Sequence, residues 1–222
     1  MSELVVELNR RYVDFELRKK LYLSFKRLFD LAVSIISVIV LLPVFLLIAL
    51  IIKIDSKGPV LYKHKRIGKN GKDIYLYKFR SMYIDSKERL EEMLLDPKIK
   101  KEWNANFKLE NDPRITKVGN ILRKTSLDEL PQLLNIIKGD MSLVGPRPVI
   151  EDEIKKYKNN KNKFLSVTPG LTGWWACNGR SCTSYKERME LELYYVDNCS
   201  FLLDIKCLFK TVLAVVKRDG AK

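Results

Sequence analysis

Leu31-Ala32-Val33-Ser34-Ile35-Ile36-Ser37-Val38-Ile39-Val40-Leu41-Leu42-Pro43-Val44-Phe45-Leu46-Leu47-Ile48-Ala49-Leu50-Ile51-Ile52 carries no charge and is flanked by Asp30 and Lys53. At about 1.5 Å per helical residue it is long enough for a bilayer core of about 30 Å. Two features argue against a plain crossing. Pro43 sits in the middle, where it removes a backbone bond and bends a helix. Both flanks are basic, with seven Lys/Arg in residues 1–29 and nine in residues 53–80. Basic flanks stay on the cytoplasmic side, and here neither flank yields to the other. A segment that enters, bends at Pro43 and leaves on the same face satisfies both. The residues alone leave spanning and re-entrant readings open, with a buried helix of a soluble protein as the third.

Working outward, residues 1–25 alternate apolar and charged clusters and read as a surface helix. Residues 26–54 form the membrane segment and 55–222 a separate domain. The chain has 222 residues, enough for one substantial domain or two small ones. Its 41 Lys plus Arg against 27 Asp plus Glu give a formal charge of +14, which calls for an anionic partner. The basic residues are spread along the whole chain, which weakens a nucleic-acid reading. Cys177, Cys182, Cys199 and Cys207 form no CxxC pattern, and the only histidine is His64, so zinc is not expected. No exporting signal is evident, and reduced cysteines facing the cytoplasm are the simplest account.

Lys57-Gly58-Pro59 ends the helix. Val60–Tyr62 and Ile74–Phe79 read as short strands around a Gly68–Gly71 turn, with Tyr75, Tyr77 and Phe79 on one side and Lys78 and Arg80 close by. Residues 85–104 are helical by pattern and highly charged. A turn at Asn111-Asp112-Pro113-Arg114 leads through Arg123 and Lys124 into Thr125-Ser126-Leu127-Asp128-Glu129-Leu130-Pro131-Gln132. There Ser126 and Glu129 have the spacing of a capping box before an apolar run, and Pro131 can shift the helix start by a residue or two. The adjacent carboxylates either cap a helix or supply an ionised nucleophile and metal ligand. The helix is expected to end at Lys138-Gly139.

Gly145-Pro146-Arg147-Pro148 presents one guanidinium on a stiff loop, either for bidentate phosphate binding or as a plain tight turn. Pro169-Gly170-Leu171-Thr172-Gly173-Trp174-Trp175, running on to Asn178-Gly179-Arg180, offers glycines for close backbone approach. Its two tryptophans suit a flat ligand, a membrane interface or the core. Phe201 to Val216 has apolar residues at helical spacing with Lys206 and Lys210 between them, an amphipathic basic helix for an acidic membrane or for the protein's own core.

Lys26-Arg27-Leu28-Phe29-Asp30, Lys78-Phe79-Arg80-Ser81-Met82, Thr125–Gln132, Gly139–Pro148 and Pro169–Arg180 occur in this order. Together they resemble the bacterial sugar transferases, the compact monotopic phosphoglycosyl transferases, over residues 26 to about 218. The resemblance implies an α/β fold, mainly α with a small β element, joining a re-entrant helix-break-helix to a cytoplasmic catalytic domain with surface amphipathic helices. It implies transfer of a sugar phosphate from a UDP-sugar to polyprenyl (undecaprenyl) phosphate, with release of UMP, at the cytoplasmic face of the bacterial inner membrane.

Asp128 is the implied nucleophile, holding a covalent phosphosugar, with Glu129 beside it; Asp128 and Glu129 are the implied Mg²⁺ ligands. Arg123, Pro146, Arg147, Arg180, Lys78 and Arg80 are the implied substrate-binding residues, and Leu42 and Pro43 the membrane break. Anionic inner-leaflet lipids are expected partners, nucleic acid is not, and a homodimer is left open. The sequence departs from the family pattern at Leu42, where Ser is frequent, at Trp175-Ala176-Cys177, where Ala-Gln-Val is common, and at Glu192, where Asp is usual. These departures bear on which substrate is taken. A non-catalytic basic membrane protein and a glycosyl transferase releasing UDP are the alternative readings.

Overall fold

A computed structural model describes residues 2–106, 109–179 and 183–217. One helix, α1, runs Ser2–Asp55 and covers both the segment read as a surface helix and the apolar run. The helical assignment carries through Pro43, so the expected break at Leu42–Pro43 is not an interruption of the helix. A proline costs a helix one N–H donor and a ring clash one turn back, and a helix can absorb both by bending without losing its other bonds. Leu42, Ile39, Val40 and Leu46 are more than half exposed, and α1 is long and apolar enough to cross a membrane.

After α1, β1 (Leu61–Ile67) and β2 (Asp73–Phe79) form an antiparallel hairpin. Tyr62 lies opposite Lys78, His64 opposite Leu76 and Arg66 opposite Ile74, so these six residues share one face. Ile74 and Leu76 are buried while Tyr75 is half exposed. Residues 85–104 become two helices, α2 (Ser86–Met93) and α3 (Pro97–Asn106). Pro97 separates them, because a proline is favoured where a helix starts and is disruptive inside one.

Helix α4 (Lys117–Lys124) has no counterpart in the sequence reading. Thr116 caps it, its Oγ1 accepting from the Gly119 N–H at 2.9 Å. A Cβ at Gly119 would stand 2.0 Å from the Ser81 carbonyl oxygen, so α4 packs on the backbone that follows β2. Helix α5 (Gln132–Lys138) starts after Pro131 and ends at Gly139, whose φ of 95° is the left-handed cap expected there. Its Asn135 side chain is wholly buried, accepting from the Tyr77 N–H and donating to the Tyr75 carbonyl, which fixes the hairpin on α5.

Two three-residue strands, β3 (Ser142–Val144) and β4 (Gly170–Thr172), pair in parallel. Between them lie α6 (Glu151–Lys155) and α7 (Lys161–Phe164), and after them α8 (Trp174–Asn178), α9 (Tyr185–Asn198) and α10 (Phe201–Lys217). The main core joins Ile74, Leu76, Leu133, Ile136, Val144 and Tyr195, with Val33, Val38 and Phe45 of α1 packed against it. A second cluster places Ile48 and Ile52 of α1 against Phe79 and Leu122.

Both ends of the apolar run are tied to this domain. Arg27 donates to the carbonyls of Ile136 and Ile137, and Asp30 accepts from the Ser142 hydroxyl at 2.6 Å and the Leu143 N–H at 3.2 Å. At the other end Arg80, 6% exposed, donates to the carbonyls of Ile52, Ser56 and Lys57. The Ile52 carbonyl belongs to the last turn of α1 and those of Ser56 and Lys57 to the chain just beyond it, so Arg80 clamps the exit of the helix. Helix α10 buries Asp204 and Cys207 but leaves Leu202, Phe209 and Val212 exposed.

Candidate active site

The carboxylate dyad does not cap a helix. Ser126 takes a left-handed conformation, φ 58°, and makes no side-chain cap bond, and Leu127–Glu129 form a single 3-10 turn ahead of α5. The expected capping box is therefore corrected. Pro131 sets the start of α5 downstream, and Glu129 turns away to accept from the Lys78 ammonium at 2.6 Å. A non-glycine residue at positive φ costs about 1 kcal/mol or more and persists where the surroundings impose it.

Burial and charge separate the two carboxyls. Asp128 is 8% exposed. Burial pushes its pKa up to about 6, with the Glu129 charge adding to the rise and Lys78 and Arg123 opposing it. Burial also acts on half-buried Glu129, but Lys78, then Arg147 and Arg66, overcome it and hold the pKa at about 2. Adjacent titratable groups with pKa values driven apart are a mark of sites where one carboxyl stays a fixed charge and the other reacts.

Arg66, Lys78, Glu129, Arg147, Trp175 and Glu192 are among the residues that line a cleft, which Glu129 enters while its neighbour Asp128 lies behind the lining. Lys78 comes from β2 and Arg147 from the loop after β3. The Arg147 backbone N–H donates to both oxygens of buried Glu192, at 3.1 and 3.0 Å, which anchors the loop. Its guanidinium lies 5.9 Å from the Trp175 ring centroid, and that of Arg188 lies 4.7 Å from it. Arg123, at the end of α4, donates through Nε to the Ser81 hydroxyl at 2.9 Å. Ser81 belongs to the Lys78–Met82 motif, and the Lys78–Glu129 ion pair joins that motif to Thr125–Gln132.

The glycines of the Gly139–Pro148 and Pro169–Arg180 motifs serve each other. A Cβ on Gly170 would come within 2.0 Å of the Gly145 nitrogen, and one on Gly145 within 2.4 Å of the Thr168 carbonyl oxygen. Close backbone contact between the two loops, not approach to a ligand, is what demands glycine at these two positions. Pro146 is buried, its carbonyl accepting from the Gly170 N–H at 2.9 Å. It shapes the loop, while Arg147 beside it lines the cleft.

Of the sequence-derived candidates, the structure gathers Lys78, Arg123, Asp128, Glu129 and Arg147. Arg80 is not among them, because it fastens the end of α1. Arg180 lies outside the described residues. Arg66 was not singled out in the sequence; its position two residues from His64, on the hairpin face that carries Lys78, is the signal that places it here.

Among the described residues no three His, Cys, Asp or Glu side chains group as a metal site. Two adjacent carboxylates without a third ligand fit Mg²⁺, which takes one or two carboxylates and completes its shell with water and substrate phosphate oxygens.

A long helix with apolar exposure suggests membrane association, and it is joined to a cleft in which guanidinium and ammonium groups stand beside carboxyls, a charge arrangement suited to anions. The chain belongs to the bacterial sugar transferase family, whose sequence model matches residues 21–218. It is 47% identical over 197 residues to the UDP-galactose-lipid carrier transferase of Erwinia amylovora, covering 88% of this chain and 41% of that protein. The undecaprenyl-phosphate galactose phosphotransferase of Salmonella typhimurium is also 47% identical, again over 88% of this chain and 41% of that protein. The exopolysaccharide production protein ExoY of Rhizobium meliloti is 46% identical over 88% of this chain and 87% of its own length. The chain thus spans about two fifths of the first two relatives and most of the third.

Proposed function

We propose that this chain is a membrane-bound phosphoglycosyl transferase. It moves a sugar 1-phosphate from a UDP-sugar to undecaprenyl phosphate, the first membrane step of exopolysaccharide, capsule or O-antigen assembly. The observation that carries the proposal is the split dyad: a buried carboxyl beside one clamped by Lys78, facing Arg147 across a cationic cleft. The relatives' names support the donor and acceptor classes.

An ionised Asp128 oxygen attacks the β-phosphorus of the donor. A phosphorus–oxygen bond to the carboxylate forms, the bond to the bridging oxygen breaks, and UMP leaves with that oxygen. An oxygen of undecaprenyl phosphate then attacks the same phosphorus and releases Asp128 as a free carboxylate. The nucleophile, the donor diphosphate and the acceptor are all anions, and Lys78, Arg123 and Arg147 offset their repulsion. Asp128 and Glu129 would hold Mg²⁺, which when bound adds charge neutralisation on the diphosphate. Glu129, kept ionised by Lys78, keeps that ligand in place.

Both flanks of the apolar run bond to one catalytic domain, Arg27 through α5 and Arg80 through the carbonyls that end α1. That double attachment supports a re-entrant helix with both ends on the cytoplasmic face, since a crossing helix would place the two ends on opposite faces. The exposed apolar side of α10 supports a seat on anionic inner-leaflet lipid.

Asp128→Asn should abolish UMP release from UDP-sugar plus undecaprenyl phosphate while membrane insertion persists. Incubation with UDP-sugar alone should add the mass of one phosphosugar to the protein. Turnover retained in the variant, or release of UDP in place of UMP, would overturn the proposal.

A further inference from the structure

Arg66 and His64 stand two residues apart on β1, on the hairpin face that carries Lys78. Arg66 Nη1 lies 2.7 Å from His64 Nε2. An arginine can only donate, so Nε2 is the acceptor and carries no proton. The ring is therefore neutral, with its proton on Nδ1. Burial comes first among the causes that favour this state, followed by the positive charges of Arg66, Lys78, Arg147 and Arg123; together they push the His64 pKa down to about 3.

Arg66 lines the cleft beside Lys78 and Arg147. Its described hydrogen bonds go to the imidazole and, at 3.4 Å, to the Lys65 carbonyl. Among the described residues no carboxylate forms an ion pair with it, whereas Lys78 is matched by Glu129. Burial and then Arg147 depress the Arg66 pKa to about 10, so the two guanidiniums repel one another in the absence of an anion. A guanidinium that faces a cleft, aimed by a neutral acceptor and bonded directly to no carboxylate among the described residues, is built to receive a phosphate.

We propose that Arg66 is a further phosphate-binding cation of this cleft and that His64 is its positioning residue, acting by accepting from the guanidinium. This rests on the phosphoglycosyl transferase reading for the identity of the ligand, the diphosphate of the UDP-sugar donor. An acceptor on His64 fixes the rotamer of Arg66 without cancelling its charge, which a carboxylate in the same place would do. The same face of the hairpin thereby supplies Lys78 to the dyad and Arg66 to the donor.

The test compares Arg66→Ala, His64→Leu, His64→Gln and the double variant His64→Leu/Arg66→Ala in UMP-release assays and in direct titration with UDP. His64→Leu should raise the KM for UDP-sugar roughly three- to tenfold with kcat little changed, by loss of one orienting bond. His64→Gln, which keeps an acceptor at similar reach, should restore most of that loss. Arg66→Ala should weaken donor binding more, on the order of tenfold to a hundredfold. The double variant should be no worse than Arg66→Ala, because His64 acts through Arg66. Independent, multiplying losses would overturn the positioning role, and a wild-type KM in Arg66→Ala would overturn the site. If the wild-type protein releases no UMP from any UDP-sugar, the reaction reading falls. UDP affinity then decides the inference separately: weaker in Arg66→Ala and His64→Leu but not in His64→Gln supports it, and unchanged affinity in all overturns it.

Discussion

Lys78→Met removes the ammonium that both holds Glu129 and opposes the rise of the Asp128 pKa. Burial pushes the Asp128 pKa up to about 6, and under the proposed mechanism the carboxyl must be ionised to attack. Activity is therefore present above that value and lost as pH falls through it. Without Lys78 the folded pKa of Asp128 rises, and the acid limb moves to higher pH. A neighbouring opposite charge is worth about one unit or more. With a rise of one unit, the ionised fraction at pH 7 falls from about 90% to about 50%, and at pH 6 from about 50% to about 9%.

The variant should accordingly lose about twofold at pH 7 and about fivefold at pH 6 from ionisation alone, converging with the wild type near pH 8. Loss of phosphate contact by Lys78 lowers all pH values together and leaves the shape of the profile intact. Undecaprenyl phosphate and a UDP-sugar in detergent micelles, with UMP release followed from pH 5 to 8.5, separate the two effects. An acid limb that does not move would refute the assignment of Lys78 as the group that keeps the dyad ionised.

Arg80→Ala should leave the KM for UDP-sugar unchanged but lower stability by about 2 kcal/mol, since it strands the carbonyls ending α1, and thermal unfolding in micelles reads this. Gly119→Ala should cost about 3 kcal/mol or prevent folding, because the new methyl would meet the Ser81 backbone, which cannot move as a side chain can. Gly71→Ala, in open space but at φ +79°, should cost only about 1 kcal/mol in the same measurement. Phe209→Glu, on the exposed side of α10, should reduce partition into anionic liposomes on the order of tenfold with the unfolding midpoint unchanged.

Long-period features were readable from the chain and short ones were not. The apolar run and α10 announce themselves by length and helical spacing, and the hairpin by strands flanking a glycine turn. Strands β3 and β4 have three residues each, too few for any alternation to register. The Ser-x-x-Glu spacing occurs at Ser126–Glu129 and again at Ser184–Glu187, and only the second makes a capping box. There the local bonds have no rival; at Glu129 a lysine 51 residues away in the chain takes the carboxylate. Arg66 was obscure because Lys63 and Lys65 put charge on the other face of β1 as well, which erases the period-two signal. Arg80 misled because it keeps the two-residue period of Lys78, but β2 ends at Phe79 and beyond it the guanidinium reaches the end of α1. Asp128 and Glu129 were legible as a pair, but which of them stays charged depends on burial and on Lys78, neither of which is local.

The tethers at the two ends of α1 also set an order of events during synthesis. Arg27 leaves the ribosome 109 residues before its partner Ile136, and Asp30 precedes Ser142 by 112. The hydrophobic helix is therefore made long before the surface it will dock on exists, and under the proposed membrane seating it meets the lipid first. The domain then has to assemble onto a helix made before it, and α10, made later still, adds a further tie when Asp204 reaches Lys26.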